Sequence, residues 1–217
     1  HLAHGMLRLP KGKMSSRTGS VISVDFLVSH LSDLAASKIG DTSSDIPEEE
    51  VMQISQKIAV GALKYAILRQ QLGKDIIYDE ENSLQLTGDT GPYLQYSLVR
   101  AFSVMNKASP SWKEDAFSRD VSLLIESDLN EDEELLLRHL IHFQEVVLKS
   151  MEDLSPSTLC TYLRDLCSFF NSFYASYSIV NEEDRDRRLF RLSLTHYFAV
   201  VLSQGLALLG IKSVKRM

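Results

Sequence analysis

The stretch from Gly88 to Arg100 constrains the fold most, because it sets a helix start and gives that helix two different faces. Pro92 fits the first turn of a helix, where its missing N–H is not needed, and Thr90 or Gly91 can cap that turn. At about 100° per residue, one face collects polar and aromatic side chains: Tyr93, Tyr96, Ser97 and Arg100. The other collects apolar ones: Leu94, Leu98, Ala101 and Met105. The pattern predicts a helix that packs through its apolar side.

The polar face of this helix admits two interpretations. Two phenols and a guanidinium lying together can stack on a base and hold a phosphate, which indicates contact with RNA. The alternative is a tyrosine-rich packing helix whose arginine extends to solvent. Because aromatic residues at helical spacing usually belong to a core, the helix taken alone favours packing.

Further segments carry apolar residues at three- and four-residue steps, the spacing of one helix face. They cover residues 23–40, 47–66, 130–148, 155–177 and 184–209. Ser23 and Pro47 mark helix starts, and Gly210 marks the end of the last helix. Short extended stretches at 1–10 and 75–79 are strand candidates. The expected class is all-α, a helical bundle preceded by a short strand and loop.

Composition indicates a chain that can bury a core, since its 217 residues are 44% hydrophobic and no apolar run reaches the ~20 residues of a membrane span. A net charge of −6 argues against nucleic-acid binding by the chain as a whole. Basic islands weaken that argument, because a local patch sets the affinity for phosphate. They are Lys11, Lys13 and Arg17; Arg185, Arg187, Arg188 and Arg191; and Lys212, Lys215 and Arg216. For the middle island, which Asp184 and Asp186 interrupt, a solvated helix face is favoured.

Several single residues suggest chemistry that the pattern around them does not support. Cys160 and Cys167 lie on one predicted helix face among leucines, so we interpret them as small core residues in a reducing compartment. His139 and His142 have no cysteine or carboxylate at matching spacing, and we expect packing or surface histidines and no metal site. Gly61 inside the second helix predicts the close approach of another backbone.

The stretch from Lys11 to Gly19 is polar and bounded by glycines, which predicts a loop. Displacement at the α-phosphate of a nucleotide builds charge on pyrophosphate, and cations and hydroxyls stabilise that charge. The side chains that supply those groups are Lys13, Ser15, Ser16 and Arg17. Without further motifs, an ordinary basic loop is the favoured interpretation.

Separate motifs in this chain resemble the arginyl-tRNA synthetases and follow that family's order. They are residues 13–19, 58–66 and 88–100, then 205–211 with the terminal Arg216 and Met217. The resemblance covers nearly the whole chain, and several motifs in one order make it specific. Because the sequence begins at His1 without a methionine, we expect it to be the C-terminal portion of a longer protein.

The resemblance implies an arginine–tRNA ligase, which joins L-arginine to tRNA(Arg) through arginyl-adenylate, using Mg-bound ATP and releasing AMP and diphosphate. It implies residues 1–19 as the end of the catalytic domain with its ATP loop, 20–86 as a helical stem-contact linker and 87–217 as an anticodon-binding bundle. We expect this chain alone to be inactive, to hold no tightly bound cofactor, and to bind tRNA as a cytoplasmic monomer without membrane contact.

The same resemblance implies residues that contact ATP. The backbone at Met6 and Leu7 is expected near the adenine. The loop residues implied are Lys13, Ser15, Ser16 and Arg17. Ser16 stands where the family's Lys-Met-Ser-Lys-Ser signature has its second lysine, which usually carries the transition-state role.

The residues implied in tRNA contact are Tyr93, Tyr96, Arg100, Tyr174, Arg216 and Met217. Core packing is an equal alternative for Tyr174, and a loose tail is the general alternative for the last two residues. The run from Tyr162 to Leu166 resembles in part the Asp-Ala-Leu-Arg pattern that names this type of bundle.

Two other functions fit parts of the sequence. One is a helical protein-interaction module with no RNA role. The other is the equivalent region of a cysteinyl-tRNA synthetase, against which the run from Gly88 to Tyr96 and the Arg216 and Met217 ending argue. Trp112, the single tryptophan, is expected to anchor a short helix to the core rather than to stack on RNA.

Overall fold

The computed structural model describes residues 5–8, 23–42, 46–117 and 129–217, and helices dominate these ranges. In chain order the elements are β1 (Leu7–Arg8), α1 (Val24–Thr42), α2 (Glu48–Leu68), β2 (Ile76–Ile77), α3 (Glu80–Ser83), α4 (Gly91–Lys107), α5 (Trp112–Phe117), α6 (Glu131–Ile141), α7 (Phe143–Glu152), α8 (Pro156–Ser176) and α9 (Arg185–Leu208). The predicted all-α class is confirmed.

Local sequence determines the helix ends that matter for the site. The Oγ1 of Thr90 accepts a hydrogen bond from the backbone N–H of Tyr93 (3.1 Å), so the predicted cap of α4 is confirmed. After α9, Gly210 has a φ of 66°, and the N–H of Ile211 donates to the carbonyl of Leu206 (2.8 Å). This is a Schellman ending, as the glycine predicted.

Two predicted helices differ from the observed ones. Helix α1 continues past Gly40 to Thr42. The single helix predicted over 130–148 is two helices, α6 and α7, because the backbone at His142 (ψ −1°) leaves the regular helical path. The apolar residues of the two helices are buried unevenly: Leu136 is fully buried, whereas Leu135 is 40% exposed and Leu148 59% exposed.

The first of two clusters of buried side chains, the linker core, lies where α1 packs on α2 and on the segment from β2 to α3. Leu31, Ala59 and Tyr78 are among its most buried members. The tail after α9 returns to this core, because Val214 is buried in it and Met217 packs against it.

The second cluster, the bundle core, lies between α4, α6, α8 and α9. The rings of Phe170 on α8 and Phe198 on α9 stack at 3.8 Å with no exposed surface, and Leu98 of α4 is equally buried. Burying a side chain of this kind stabilises the fold by about 1.5–3 kcal/mol. Tyr65 of α2 also belongs to the bundle core, so α2 joins the two clusters.

Helices α2 and α4 meet through backbone contact. A Cβ atom added to Gly91 would lie 2.4 Å from the carbonyl oxygen of Gly61, so the predicted close approach at Gly61 is confirmed. Beside this contact, the fully buried Gln95 donates from Nε2 to the carbonyls of Lys212 (2.8 Å) and Lys57 (3.3 Å). One side chain of α4 therefore binds both α2 and the C-terminal tail.

The two strands form a small parallel sheet in which Leu7 lies opposite Ile76. Arg8 and Asp75 form an ion pair (2.5 Å) beside the strands. The sheet attaches the N-terminal segment to the linker core, against which Leu7 packs.

The prediction of a solvated face for the middle basic island is wrong for Arg191. Its side chain is 5% exposed, and its Nε donates to Glu133 (2.7 Å), a fully buried carboxylate of α6. Its guanidinium also pairs with Glu182 and lies 4.9 Å from the ring centroid of Tyr177. Sequence spacing could not show this partner, because Glu133 precedes Arg191 by 58 residues.

Other single-residue predictions are confirmed. Cys160 and Cys167 are free thiols in the bundle core, and burial raises the pKa of Cys160 to about 12. Trp112 is 5% exposed in the same core. His139 packs with its ring 4.3 Å from that of Tyr162, as expected of a packing histidine.

Candidate nucleic-acid interface

The polar stripe of α4 lies at the edge of the bundle core. Tyr93, Tyr96 and Arg100 are each partly exposed, whereas Ser97 is fully buried and its hydroxyl donates to the carbonyl of Tyr93 (2.9 Å). The stripe is therefore not wholly solvent-facing. The inner part of the stripe, Ser97 and the hydroxyl of Tyr93, contacts Asn171 of α8. The outer part presents the phenol of Tyr96 and the guanidinium of Arg100.

Arg100 lies between two tyrosine rings from different helices. Its guanidinium carbon is 5.0 Å from the ring centroid of Tyr96, on α4, and 4.9 Å from that of Tyr174, on α8. Tyr174 is 40% exposed, which favours a surface role over complete burial in the core. Each such cation–π contact stabilises the arrangement by about 0.5–1 kcal/mol at an exposed site. The fold thus brings three of the predicted tRNA-contacting residues together.

Asn171 of α8, a residue that sequence reasoning missed, holds the group in place. Its Oδ1 accepts a hydrogen bond from Arg100, and its Nδ2 donates to the hydroxyls of Tyr93 (3.1 Å) and Ser97 (3.0 Å). One amide therefore fixes the guanidinium, a phenol and a serine. Its position three residues before Tyr174, on the same helix face, is the signal that could have found it.

The positive charge of Arg100 can interact with a ligand, because its hydrogen-bond partner does not neutralise it. Its hydrogen-bond partner is a neutral amide, and within the described ranges no carboxylate lies at ion-pair distance from it. Burial raises the pKa of the Tyr93 phenol, although the hydrogen bond from Asn171 opposes the shift. Tyr93 is therefore neutral near pH 7, and the group carries a net positive charge.

The C-terminal tail lies against α2. The guanidinium of Arg216 pairs with Glu50 in the first turn of α2 (Nε to Oε1, 2.7 Å), and this contact lowers the pKa of Glu50. Met217 is partly exposed and packs against the linker core. The described contacts of Arg216 and Met217 are with α2 and the linker core. The group of Tyr96, Arg100 and Tyr174 lies on α4 and α8 instead.

Of the residues predicted to contact ATP, only Met6 and Leu7 are described. The N–H of Met6 donates to Asp75 (3.0 Å) and its carbonyl accepts from Ile76 (3.0 Å), so both backbone groups of Met6 are engaged by the neighbouring segment. In a parallel pair, the backbone groups of the next residue, Leu7, are directed to the opposite edge. The predicted loop residues, Lys13, Ser15, Ser16 and Arg17, lie outside the described residues.

The start of the motif over residues 88–100 attaches the beginning of α4 to the end of α2. Asp89 accepts hydrogen bonds from the hydroxyl of Tyr65 (2.6 Å) and from the guanidinium of Arg69 (2.8 Å), both near the end of α2. Burial raises the pKa of Tyr65, so its phenol stays protonated and can donate. These residues border a cavity of about 220 Å³. The acidic residue of the motif is thus explained by helix attachment.

No group of three or more histidine, cysteine, aspartate or glutamate side chains in the described ranges is arranged to hold a metal ion. Among the helices of the same ranges, none is long and apolar enough to cross a membrane.

The comparison with known families places this all-α bundle in the class of helical anticodon-binding domains. Residues 94–217 match the family described as DALR anticodon binding domain, and the chain belongs to that family. The resemblance found in the sequence is thereby confirmed at the level of the domain.

Relatives extend the match to the whole chain. It is 36% identical over 223 residues to an arginine–tRNA ligase of Bacteroides fragilis, and 33% identical over 221 residues to one of Porphyromonas gingivalis. Each alignment covers 100% of this chain and 36% of the relative, so the chain spans little more than a third of their length. These relatives support the arginyl interpretation over the cysteinyl one and over a protein-interaction module.

Solved structures give the same result for the fold. The arginyl-tRNA synthetase of Thermus thermophilus superposes with a TM-score of 0.85 at 27% identity, covering 100% of this chain and 35% of that one. The enzyme of Plasmodium falciparum shares the fold, with a TM-score of 0.77 at 20% identity, covering 99% of this chain and 34% of that one.

Proposed function

We propose that this chain is the tRNA-binding part of an arginine–tRNA ligase. The parent enzyme joins L-arginine to tRNA(Arg) through arginyl-adenylate, consuming ATP and releasing AMP and diphosphate, and acts in the cytoplasm as a monomer. The names of the relatives and the anticodon-binding family support this function. The two cores, whose members lie mostly on either side of residue 87, support the division into a linker over residues 20–86 and an anticodon-binding bundle over 87–217.

The observation that carries the proposal is the guanidinium of Arg100 between two partly exposed phenol rings, with no carboxylate beside it in the described ranges. A stacked base gains about 1–3 kcal/mol on an aromatic side chain, and a guanidinium binds phosphate through two parallel hydrogen bonds. Tyr96 and Tyr174 can stack on unpaired bases of the anticodon loop while Arg100 holds the backbone.

The remaining predicted residues take supporting or separate roles. Tyr93, partly buried and bonded to Asn171, helps to fix the amide that holds Arg100, and it reaches RNA only through its exposed part. Arg216 and Met217 contact the tRNA from the docked tail. The side chain of Arg216 is 46% exposed in its pair with Glu50, and a phosphate can replace that carboxylate.

Residues 1–19 supply the end of the catalytic domain. The donor and acceptor of Leu7 on the outer edge of β1 fit the hydrogen-bonding edge of an adenine, whereas those of Met6 are engaged. When bound, ATP provides the activating phosphates, and Lys13, Ser15, Ser16 and Arg17 hold the pyrophosphate side. On its own the chain binds tRNA and does not catalyse arginine-dependent ATP–pyrophosphate exchange.

The test is equilibrium binding of labelled tRNA(Arg) by fluorescence anisotropy, compared with the same tRNA carrying a replaced anticodon, at one stated salt concentration. We expect about ten-fold tighter binding of the native tRNA, equivalent to about 1.4 kcal/mol. Equal affinity for both would contradict anticodon recognition.

A further inference from the structure

A second positively charged feature lies away from the Arg100 group, in a pocket of about 190 Å³ between α2 and the C-terminal tail. Its lining residues are Gln56, Lys57, Val60, Lys64, Gly210 and Lys212. Half of them are lysines. Lys57 and Lys64 are seven residues apart and therefore share one face of α2, while Lys212 arrives from the tail.

The fold fixes this pocket from both sides. The ammonium of Lys64 donates to the carbonyl of Gly210 (2.5 Å), which ties α2 to the end of α9. The buried amide of Gln95 donates to the carbonyls of Lys57 and Lys212, so the backbones that carry two of the lysines are held by one side chain. The backbone around the pocket is therefore held in place, and the exposed side chains of Lys64 and Lys212 extend from it.

The side chains that line the pocket do not neutralise the positive charge of its three lysines. Of the described residues that line it, none is acidic. The charge of Lys57 helps to lower the pKa of Glu50, but the carboxylate of Glu50 forms its ion pair with Arg216. Three lysines and no acidic residue in one lining give the pocket a positive potential, which attracts an anion.

We propose that this pocket binds a phosphate group of an RNA backbone, as a contact separate from the stacking surface. The inference rests on the proposed function, because the RNA is the same tRNA. Lysine ammonium groups bind phosphate as point charges. Gln95, which braces the pocket, and Tyr96, which belongs to the stacking surface, are neighbours about 100° apart on α4. One RNA molecule can therefore meet both surfaces.

The test replaces the three lysines with glutamine, Lys57→Gln, Lys64→Gln and Lys212→Gln, and measures tRNA(Arg) affinity at several salt concentrations. The matched control is Lys74→Gln, Lys107→Gln and Lys149→Gln, which changes the net charge equally at exposed lysines elsewhere. We expect the pocket variant to bind about ten-fold more weakly at low salt, with a salt slope smaller by about 0.7–0.9 for each phosphate that the lysines no longer neutralise. The control keeps the slope and affinity of the unmodified chain.

The outcomes separate this inference from the proposed function. If Arg100→Ala weakens tRNA binding and the pocket variant binds like the control, the inference is wrong and the proposed function stands. If the unmodified chain does not bind tRNA, both are wrong. Circular dichroism and the thermal midpoint of each variant establish that it is folded.

Inorganic phosphate distinguishes the source of the phosphate group. Saturable stabilisation of the unmodified chain by phosphate, abolished in the pocket variant while its tRNA affinity is unchanged, would assign the pocket to free phosphate and overturn the RNA assignment. Weaker tRNA binding by the pocket variant, with only weak and unsaturated phosphate effects in the unmodified chain, supports it.

Discussion

The side-chain amide of Gln95 donates a hydrogen bond to the backbone carbonyl of Lys212, 117 residues further along the chain, at 2.8 Å. The same amide reaches the carbonyl of Lys57, so a residue of the α4 motif determines where the C-terminal tail lies on α2. This explains in physical terms why a glutamine stands among the apolar residues of that helix face.

Replacing Gln95→Leu should loosen the tail, because the carbonyl of Lys212 loses its donor, whereas that of Lys57 keeps its helical hydrogen bond in α2. An acceptor left without a partner costs about 1–3 kcal/mol. The measurements are the free energy of unfolding in urea and the rate at which a carboxypeptidase removes the tail. Gln144→Leu, at an exposed position of α7, is the control and should change stability by less than about 0.5 kcal/mol. Identical stability and digestion for both variants would contradict the role of Gln95.

Replacing Arg191→Leu should destabilise the bundle strongly, because it leaves the buried carboxylate of Glu133 without its main partner. Breaking such a pair costs about 3–5 kcal/mol, and Arg187, 3.6 Å from Glu133, offsets part of that cost. Urea unfolding measures the change. Arg138→Ala, which removes an exposed pair with Glu134, should cost about 0.5 kcal/mol or less. A similar small decrease in stability for both variants would show that the buried network contributes little.

Stability should fall as the pH drops below about 6.5, the ordinary pKa of histidine. Burial lowers the pKa of His139, although its hydrogen bond to the Tyr162 carbonyl and the charge of Asp165 oppose the shift. The unfolded chain therefore binds more protons than the folded chain between the two pKa values, so stability is complete above 6.5 and decreases towards lower pH. Burial also lowers the pKa of His196, which adds to this dependence.

Urea unfolding at pH 7.0 and pH 5.5 measures that dependence. His139→Phe keeps a ring against Tyr162 and removes the titrating group, so its stability should fall less between the two pH values than that of the unmodified chain. Gln144→Leu, at an exposed position of α7 without a titrating side chain, is the control and should keep the full dependence. An unchanged pH dependence in His139→Phe would refute the assignment.

The parts of the fold that could be predicted are those that local sequence determines. Thr90 and Pro92 mark a helix start, and Gly210 ends one, because caps and left-handed glycines act on neighbouring residues. The break at His142 was missed because the apolar spacing on either side of it is still that of a helix. Periodicity does not register a change of backbone direction within one residue.

The site was predictable only in its outline. Helical geometry places Tyr96 and Arg100 on one stripe of α4. The contact of Arg100 with the ring of Tyr174 depends on how α8 packs on α4, and sequence spacing does not predict that packing. Asn171 shares a helix face with Tyr174, but its bonds to Arg100 and Tyr93 depend on the same packing of α8 on α4. The burial of Arg191 likewise depends on a partner in another helix.

Replacing Asn171→Leu should weaken tRNA binding although both stacking rings remain. The guanidinium of Arg100 and the hydroxyl of Tyr93 lose their shared partner, and hydrogen bonds of this kind contribute about 0.5–1.5 kcal/mol each. We expect affinity to fall about three- to ten-fold by fluorescence anisotropy. Ser172→Ala, the next residue, which bonds to Asp132, is the control and should bind normally. Normal binding by both would remove Asn171 from the interface.

The central claim is that Arg100, held between Tyr96 and Tyr174, binds the RNA. The most direct measurement is the dissociation constant of tRNA(Arg) for Arg100→Ala beside that for Arg138→Ala, which removes an exposed arginine of α6, at low and moderate salt. We predict about ten-fold weaker binding for Arg100→Ala, with a salt slope smaller by about one, and binding within about two-fold of normal for Arg138→Ala. Equal dissociation constants and equal slopes for the two variants would contradict the claim.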